Sequence, residues 1–341
     1  MLKRTEKRKK KNRRRWLWVI IPFMFIGLIT IGYGSYITYK LASAAAEVNQ
    51  ELARGDKSEK RIEAIDPKSD NFSVLFLGID TLEPNSRGAR TDSMMLVTFN
   101  KDEKSIKMLS IPRDSRVNIV GRDRYDKINH AHAFGGVDMT IDTVEELLNV
   151  PVDYFVRLNF TAFIDLIDAL GGVEVDVPFT FDAHGSQGSR NAVTIYEGTQ
   201  RLNGEEALAY ARMRKDDPRG DIGRGERQQE VVKGVIKEAA SLSSILRFDT
   251  IIQEVSEHMA TNFLFENMLA LHPYAISLNK IEQLSLRGEN LTLDRIYYYQ
   301  LNEESVEEVS HELRVHLGLE KGRANTFGLN EDQEEDLSLN Q

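Results

Sequence analysis

Residues 71–80, NFSVLFLGID, form a compact apolar run with β-branched and aromatic side chains, bounded by a turn; this is the pattern of a buried strand that delivers Asp80 into a loop. Working outward, Ser93–Phe99 and Ile106–Ile111 read as two more strands joined through the turn-like Asn100-Lys101-Asp102-Glu103, a hairpin. Pro112 ends the second of them and leaves Arg113 and Asp114 in the following loop. Val137, Ile141, Val144, Leu147 and Leu148 keep helical spacing, as do Phe163, Leu166, Ile167 and Leu170, the latter set with Thr161 as its expected N-cap. Tyr154–Leu158 between them is strand-like, and Val173, Val175 and Val177 resume a period of two. Asn203 with Glu205 and Glu206 opens a helix, and another runs from Gln228 to Ala240. Ile281–Leu286 and Arg295–Tyr299 read as late strands, and Ser305–Leu317 as a closing helix. Strands interleaved with helices predict an α/β domain of three layers, α-β-α, around a mixed sheet.

Chemistry concentrates where these strands run out. Asp80 lies in LGID, Arg90 and Asp92 in ARTDS, Arg113 in IPRDS, and five arginines crowd residues 211–229, ARMRKDDPRGDIGRGERQQ. If the chain is extended there, Arg212 and Arg214 share a face, while Arg224 and Gln228 share one on the following helix. Arginine's planar fork matches phosphate oxygens two at a time, so several converging on one pocket suit a diphosphate. Solvated arginines paired with Asp216, Asp217, Asp221 and Glu226 are the structural alternative. Carboxylates beside arginines point to Mg2+, a hard cation that needs one or two carboxylates and bridges to substrate phosphates.

The ends of the chain set the compartment. Residues 16–39 contain no Asp, Glu, Lys or Arg over twenty-four positions, enough for a helix to cross a bilayer core of about 30 Å. The run exceeds the h-region of about 7–15 residues in a cleaved signal peptide, so Ala42-Ser43-Ala44 does not outweigh the reading as a retained signal-anchor. Ten Lys/Arg against one acid in residues 1–15 keep that head cytoplasmic and send the rest outside. The remainder holds 34 Lys/Arg against 52 Asp/Glu, a net of about −18, which disfavours nucleic acid as a partner. With no cysteine there is neither a disulfide nor a thiolate metal site, so the core holds the domain unaided. The expected organisation is a basic head over 1–15, a transmembrane helix over 16–39, a charged stalk over 40–65, one domain over 66–324 and an acidic, disordered tail over 325–341.

In combination, LGID, ARTDS, LSIPRDS, KINHAHAFGG from Lys127, the ARMR pair and DIGRGERQQ resemble the signature blocks of the LytR-CpsA-Psr proteins of Gram-positive envelopes, from about Asn71 to Ala240. The resemblance implies a membrane-anchored phosphotransferase with its catalytic domain outside the cell. Such an enzyme moves an anionic glycopolymer, such as teichoic acid, with one phosphate from a polyprenyl diphosphate carrier to peptidoglycan, usually the C6 hydroxyl of N-acetylmuramic acid, and releases polyprenyl phosphate. It further implies Asp80 and Asp92 as magnesium-associated acids, and Arg90, Arg113, Arg212, Arg214, Arg224 and Gln228 as the diphosphate-binding set. Asp92, Asp80 and Arg113 are then the catalytic candidates, and Lys127 lies in a matching block without an assigned role. Helices around Phe163 and Val232 are candidates for a lipid groove, although core packing explains those residues equally well. Two other classes stand beside this reading: a non-catalytic carrier of polyprenyl lipids, and an envelope-linked transcriptional attenuator. For the attenuator, the cytoplasmic side offers only a fifteen-residue head, too short to fold alone.

Overall fold

A computed structural model describes residues 48–81, 88–186, 192–214, 217–241, 244, 247–263, 267, 269–274 and 281–321. The expected head and spanning helix, and the tail over 325–341, lie outside these residues. Among the described residues no helix is long and apolar enough to cross a membrane.

The run 71–80 is strand β1 (Phe72–Ile79), followed by β2 (Thr91–Asn100) and β3 (Ser105–Ser110). A small hairpin, β4 (Arg116–Ile119) and β5 (Arg124–Lys127), precedes helix α1 (His130–Leu148). Strand β6 (Tyr154–Asn159), helix α2 (Phe160–Leu170) and strands β7 (Val173–Val177), β8 (Phe181–His184), β9 (Ala192–Ile195) and β10 (Gly198–Leu202) follow. Helices α3 (Gly204–Arg212), α4 (Asp221–Ala239) and α5 (Phe248–Val255) lead to β11 (Met259–Thr261) and β12 (Ile281–Ser285). The hairpin β13 (Gly288–Leu293) and β14 (Ile296–Leu301) and helix α6 (Glu303–His316) complete the described chain.

Six strands form the central sheet in the order β11-β6-β1-β2-β3-β12. It is mixed: β1 runs parallel to β6 and antiparallel to β2, which pairs antiparallel with β3, and β12 is parallel to β3. Leu75, Leu77, Leu96 and Leu109 on one face pack with Val137, Ile141 and Val144 of α1 and with Val309 and Leu313 of α6. Alternate residues Val74, Met95, Val97 and Met108 pack with Ile236 of α4 and with Leu271 and Tyr274. The period of two along each strand thus supplies both apolar faces, as the unbroken apolar character of β1 requires.

Several expectations are corrected. The valines of β7 form a strand, but it pairs with β10 outside the main sheet, over a separate cluster with Ile167, Ala207, Tyr210 and Val231. Asn159, not Thr161, caps α2, accepting from Ala162 N at 2.9 Å; its extended backbone places the side chain under the free N–H groups. Residues 48–65, read from their charge as part of a stalk, pack onto the domain: Val48 and Leu52 are buried. Arg54 pairs with buried Glu145 at 2.8 Å, and Arg61 with buried Asp153 at 2.7 Å. The charges that suggested an exposed tether are answered by acids about ninety residues away, which composition does not reveal.

Candidate active site

The parallel pairing of β1 with β6 and the antiparallel pairing of β1, β2 and β3 bring four strand ends to one edge of the sheet. There β1 ends at Asp80, β2 begins, β3 runs into Arg113 and β6 leads into Phe160, whose N–H donates to Thr81 O at 3.1 Å. The register between β1 and β2 slips at this edge: Gly78 faces Ser93, but Ile79 faces Thr91. Asp92 is therefore the extra residue of a β-bulge, a device that re-aims a side chain at a sheet's rim. Gly78 belongs to the same feature, since a Cβ there would lie 3.1 Å from Ser93 Cβ.

The bulge carries Asp92 to Asp80, and the two carboxyls are joined by a side-chain hydrogen bond. Partial burial pushes the Asp80 carboxyl above its ordinary range, the Asp92 charge and hydrogen bond push it further, and Arg212 and Arg113 pull the other way. Arg113 Nη1 donates to Asp92 Oδ1 at 2.8 Å, and its Nε lies 3.6 Å from Asp114 Oδ2. Lys127 Nζ donates to Asp114 Oδ1 at 2.7 Å, so its block joins the site through Asp114. Arg212 lies with its guanidinium carbon 4.5 Å from the centre of the Phe160 ring and donates to Gly185 O at 3.0 Å. Ser93 Oγ donates to Gln228 Oε1 at 3.0 Å, tying the first turns of α4 to β2.

The arginine-rich stretch divides into two groups. Arg212 closes α3 instead of entering a strand; Met213 caps the helix at φ −57, ψ 133 and buries its side chain, leaving Arg212 and Arg214 exposed on either side. Arg224 and Gln228 lie a turn apart on α4, as expected. Arg90 is exposed, and its carbonyl accepts from Asp80 N at 3.5 Å. Arg227 has a different task. Buried with Asp217, it bonds that carboxylate and the Met213 carbonyl, and its Nε donates to Tyr210 O at 3.1 Å. It fastens the loop between α3 and α4, while Arg219 pairs with Glu226. Of the groove candidates, Phe163 on α2 packs against the β7–β10 cluster and Val232 on α4 against the central sheet.

Sequence reasoning passed over Asp114 and Phe160. Asp114, beside Arg113 in IPRDS, was visible; Phe160 carried no signal, because its role depends on where α3 ends. Behind the site, burial depresses the Arg157 guanidinium below its usual range, and burial together with Arg157 lowers His132, whose Nδ1 faces Ala89 O at 2.9 Å. The two acids thus lie against each other, with the Asp80 carboxyl raised first by burial and then by the Asp92 charge. Among the described residues no group of three or more His, Cys, Asp or Glu side chains that could hold a metal ion is found.

The model of the LytR_cpsA_psr family matches residues 35–315. The polyisoprenyl-teichoic acid–peptidoglycan teichoic acid transferase TagT of Bacillus subtilis (strain 168) is 43% identical over 325 residues, covering 94% of this chain and 100% of the relative. A TagU transferase of Halalkalibacterium halodurans is 44% identical over 301 residues, or 87% and 97% of the two chains. A solved structure of YwtF (TagT) with bound octaprenyl pyrophosphate lipid superposes with a TM-score of 0.63 at 41% identity, covering 79% of this chain and 99% of that one.

Proposed function

This chain belongs to the LytR_cpsA_psr family, and from that premise we propose that it is a phosphotransferase that moves a teichoic-acid-type glycopolymer from a polyprenyl diphosphate to peptidoglycan. The observation that carries the reading is the convergence of Asp80, Asp92, Arg113 and Arg212 on one edge of the sheet, where open α/β sheets hold their ligands.

The acceptor hydroxyl, the C6 hydroxyl of an N-acetylmuramic acid, attacks the phosphorus next to the glycopolymer. A new phosphorus–oxygen bond forms as the bond to the bridging oxygen of the diphosphate breaks, and polyprenyl phosphate leaves. Phosphoryl transfer leaves little covalent work to a protein, so positioning and charge neutralisation dominate. Arg113 and Arg212 supply fixed guanidinium donors to the oxygens on which charge develops, and Arg90, Arg214, Arg224 and Gln228 surround the diphosphate. As a carboxylate, Asp80 or Asp92 accepts the proton of the attacking hydroxyl. Asp80 and Asp92 are also the residues that would hold Mg2+, which when bound neutralises charge on the phosphates. In this reading the domain is the three-layer α-β-α body of an envelope enzyme, anchored by residues 16–39 with its catalytic side outside the cell.

The test is transfer from a polyprenyl-diphosphate donor to soluble peptidoglycan by purified full-length protein, with and without EDTA. Arg212→Ala and Asp92→Ala are expected to lose at least about 100-fold in kcat/KM. Wild-type rates in both variants would falsify the site, and lipid retention without product would make the protein a carrier. Mass spectrometry of copurifying lipid is expected to find a polyprenyl diphosphate.

A further inference from the structure

The β13–β14 hairpin presents an exposed tyrosine, Tyr297, for which the transfer chemistry itself has no use. Ile296 is 49% exposed, Tyr297 41% and Leu293 38%, close together around the tip of one two-stranded ribbon. Lys127 Nζ lies 5.7 Å from the centre of the Tyr297 ring and 5.8 Å from that of Tyr298, so one ammonium serves both rings. Tyr297 Oη donates to Asn290 Oδ1 at 2.8 Å, which fixes its ring on the hairpin. The hairpin is in turn fixed to the site: Tyr299 N donates to Asp114 O at 2.8 Å. From Lys127 the contacts continue through Asp114 and Arg113 to Asp92 without a break.

Rigid phenol rings with an apolar face and a polar rim match a pyranose ring, which has a face of C–H groups and a rim of hydroxyls. A polyol-phosphate chain has no such face. We propose that the exposed Tyr297 ring is the platform on which a sugar ring of the acceptor glycan stacks, with Lys127 beside it. Through Asp114 and Arg113, the platform holds the glycan strand in register with the Asp80–Asp92 pair. This rests on the reading of the protein as a transferase to peptidoglycan, and it assigns the acceptor side of that same site.

The experiment uses full-length protein in detergent micelles, a polyprenyl-diphosphate donor and soluble uncrosslinked glycan strands. Tyr297→Ala is expected to raise the acceptor KM roughly 3- to 10-fold, with kcat and donor KM unchanged, while Tyr297→Phe, which keeps the ring, and Tyr298→Ala, on the opposite face of the ribbon, stay near wild type. A second measurement needs neither transfer nor a substitution: saturation-transfer NMR from wild-type protein protonated only at tyrosine to an N-acetylglucosamine oligosaccharide, with donor absent. Transfer of saturation to the sugar ring protons is expected. No saturation transfer, an unchanged acceptor KM in the folded Tyr297→Ala variant, or a rise confined to the donor KM each overturns the platform. If the wild type transfers no polymer yet passes saturation to the oligosaccharide, the transferase reading fails while the glycan surface stands.

Discussion

Replacing Asp217 with alanine tests the division of the arginines into binding and structural groups. Asp217 and Arg227 have side chains 0% and 3% exposed, and Arg227 directs its donors at Asp217, the Met213 carbonyl and the Tyr210 carbonyl. Asp217 Oδ1 also accepts from Arg219 N at 2.7 Å, so the carboxylate closes the loop between α3 and α4. Asp217→Ala leaves a buried guanidinium without its counter-charge, which costs about 3–5 kcal/mol. For a domain of this size, at about 2–4 °C per kcal/mol, the midpoint of thermal unfolding falls by roughly 6–20 °C. The assay is calorimetry of the full-length protein, paired with the double variant Asp217→Leu/Arg227→Met. Because the double variant removes both charges, it is expected to recover more than half of the loss. A shift under about 2 °C in the single variant, or a double variant worse than the sum of its single changes, would refute the structural role of Arg227.

Gly223→Ala is expected to lose at least as much stability as Asp217→Ala, since its Cβ would lie 1.8 Å from the buried Asp217 Oδ2; Gly225→Ala, with 3.2 Å to Ser110 Oγ, is expected to stay within about 1 kcal/mol of wild type by denaturant unfolding. His316 is 3% exposed, its ring nitrogens lie 2.8 Å and 2.9 Å from the Thr98 and Ser105 hydroxyls, and burial, with help from Lys107, pushes it down from 6.5 to about 4. Between those values the unfolded chain takes up a proton that the native imidazole refuses. This contribution to stability is therefore full above pH 6.5 and declines by about 3 kcal/mol as the pH falls to 4. His316→Gln should flatten that dependence in urea titrations, and an equal slope in the variant would exclude the imidazole. Asp92→Asn removes a like charge that raises Asp80, so the acid limb of the residual pH–rate profile should move to lower pH; an unmoved limb would separate Asp80 from the titration.

Local patterning made much of the fold legible. The apolar run at 71–80 is β1 to within a residue at each end, the 93–111 hairpin is β2–β3, and Asn203 with Glu206 closes a capping box on α3. Each of these rests on side chains near in sequence, whose periodicity or cap chemistry suffices. The hairpins β4–β5 and β8–β9 and strand β13 were not legible, because short half-exposed strands carry little periodic signal. The packing of residues 48–65 is hidden from local pattern for a related reason: Arg54 and Arg61 look solvated until Glu145 and Asp153 are folded against them.

The sequence by itself determined the chemistry: a pair of acids, a surplus of arginines at strand ends, and the order of strands and helices that carries them. It determined that inventory because residue type and short-range spacing are local properties. Tertiary structure alone decided which of those groups meet. The register slip that turns Asp92 toward Asp80, the stacking of Arg212 on Phe160 and the retreat of Arg227 into a buried pair with Asp217 all depend on where distant segments pack. Five arginines of the same type are equivalent in sequence; burial and the partners the fold brings to each make one a fastener and others candidates for a phosphate.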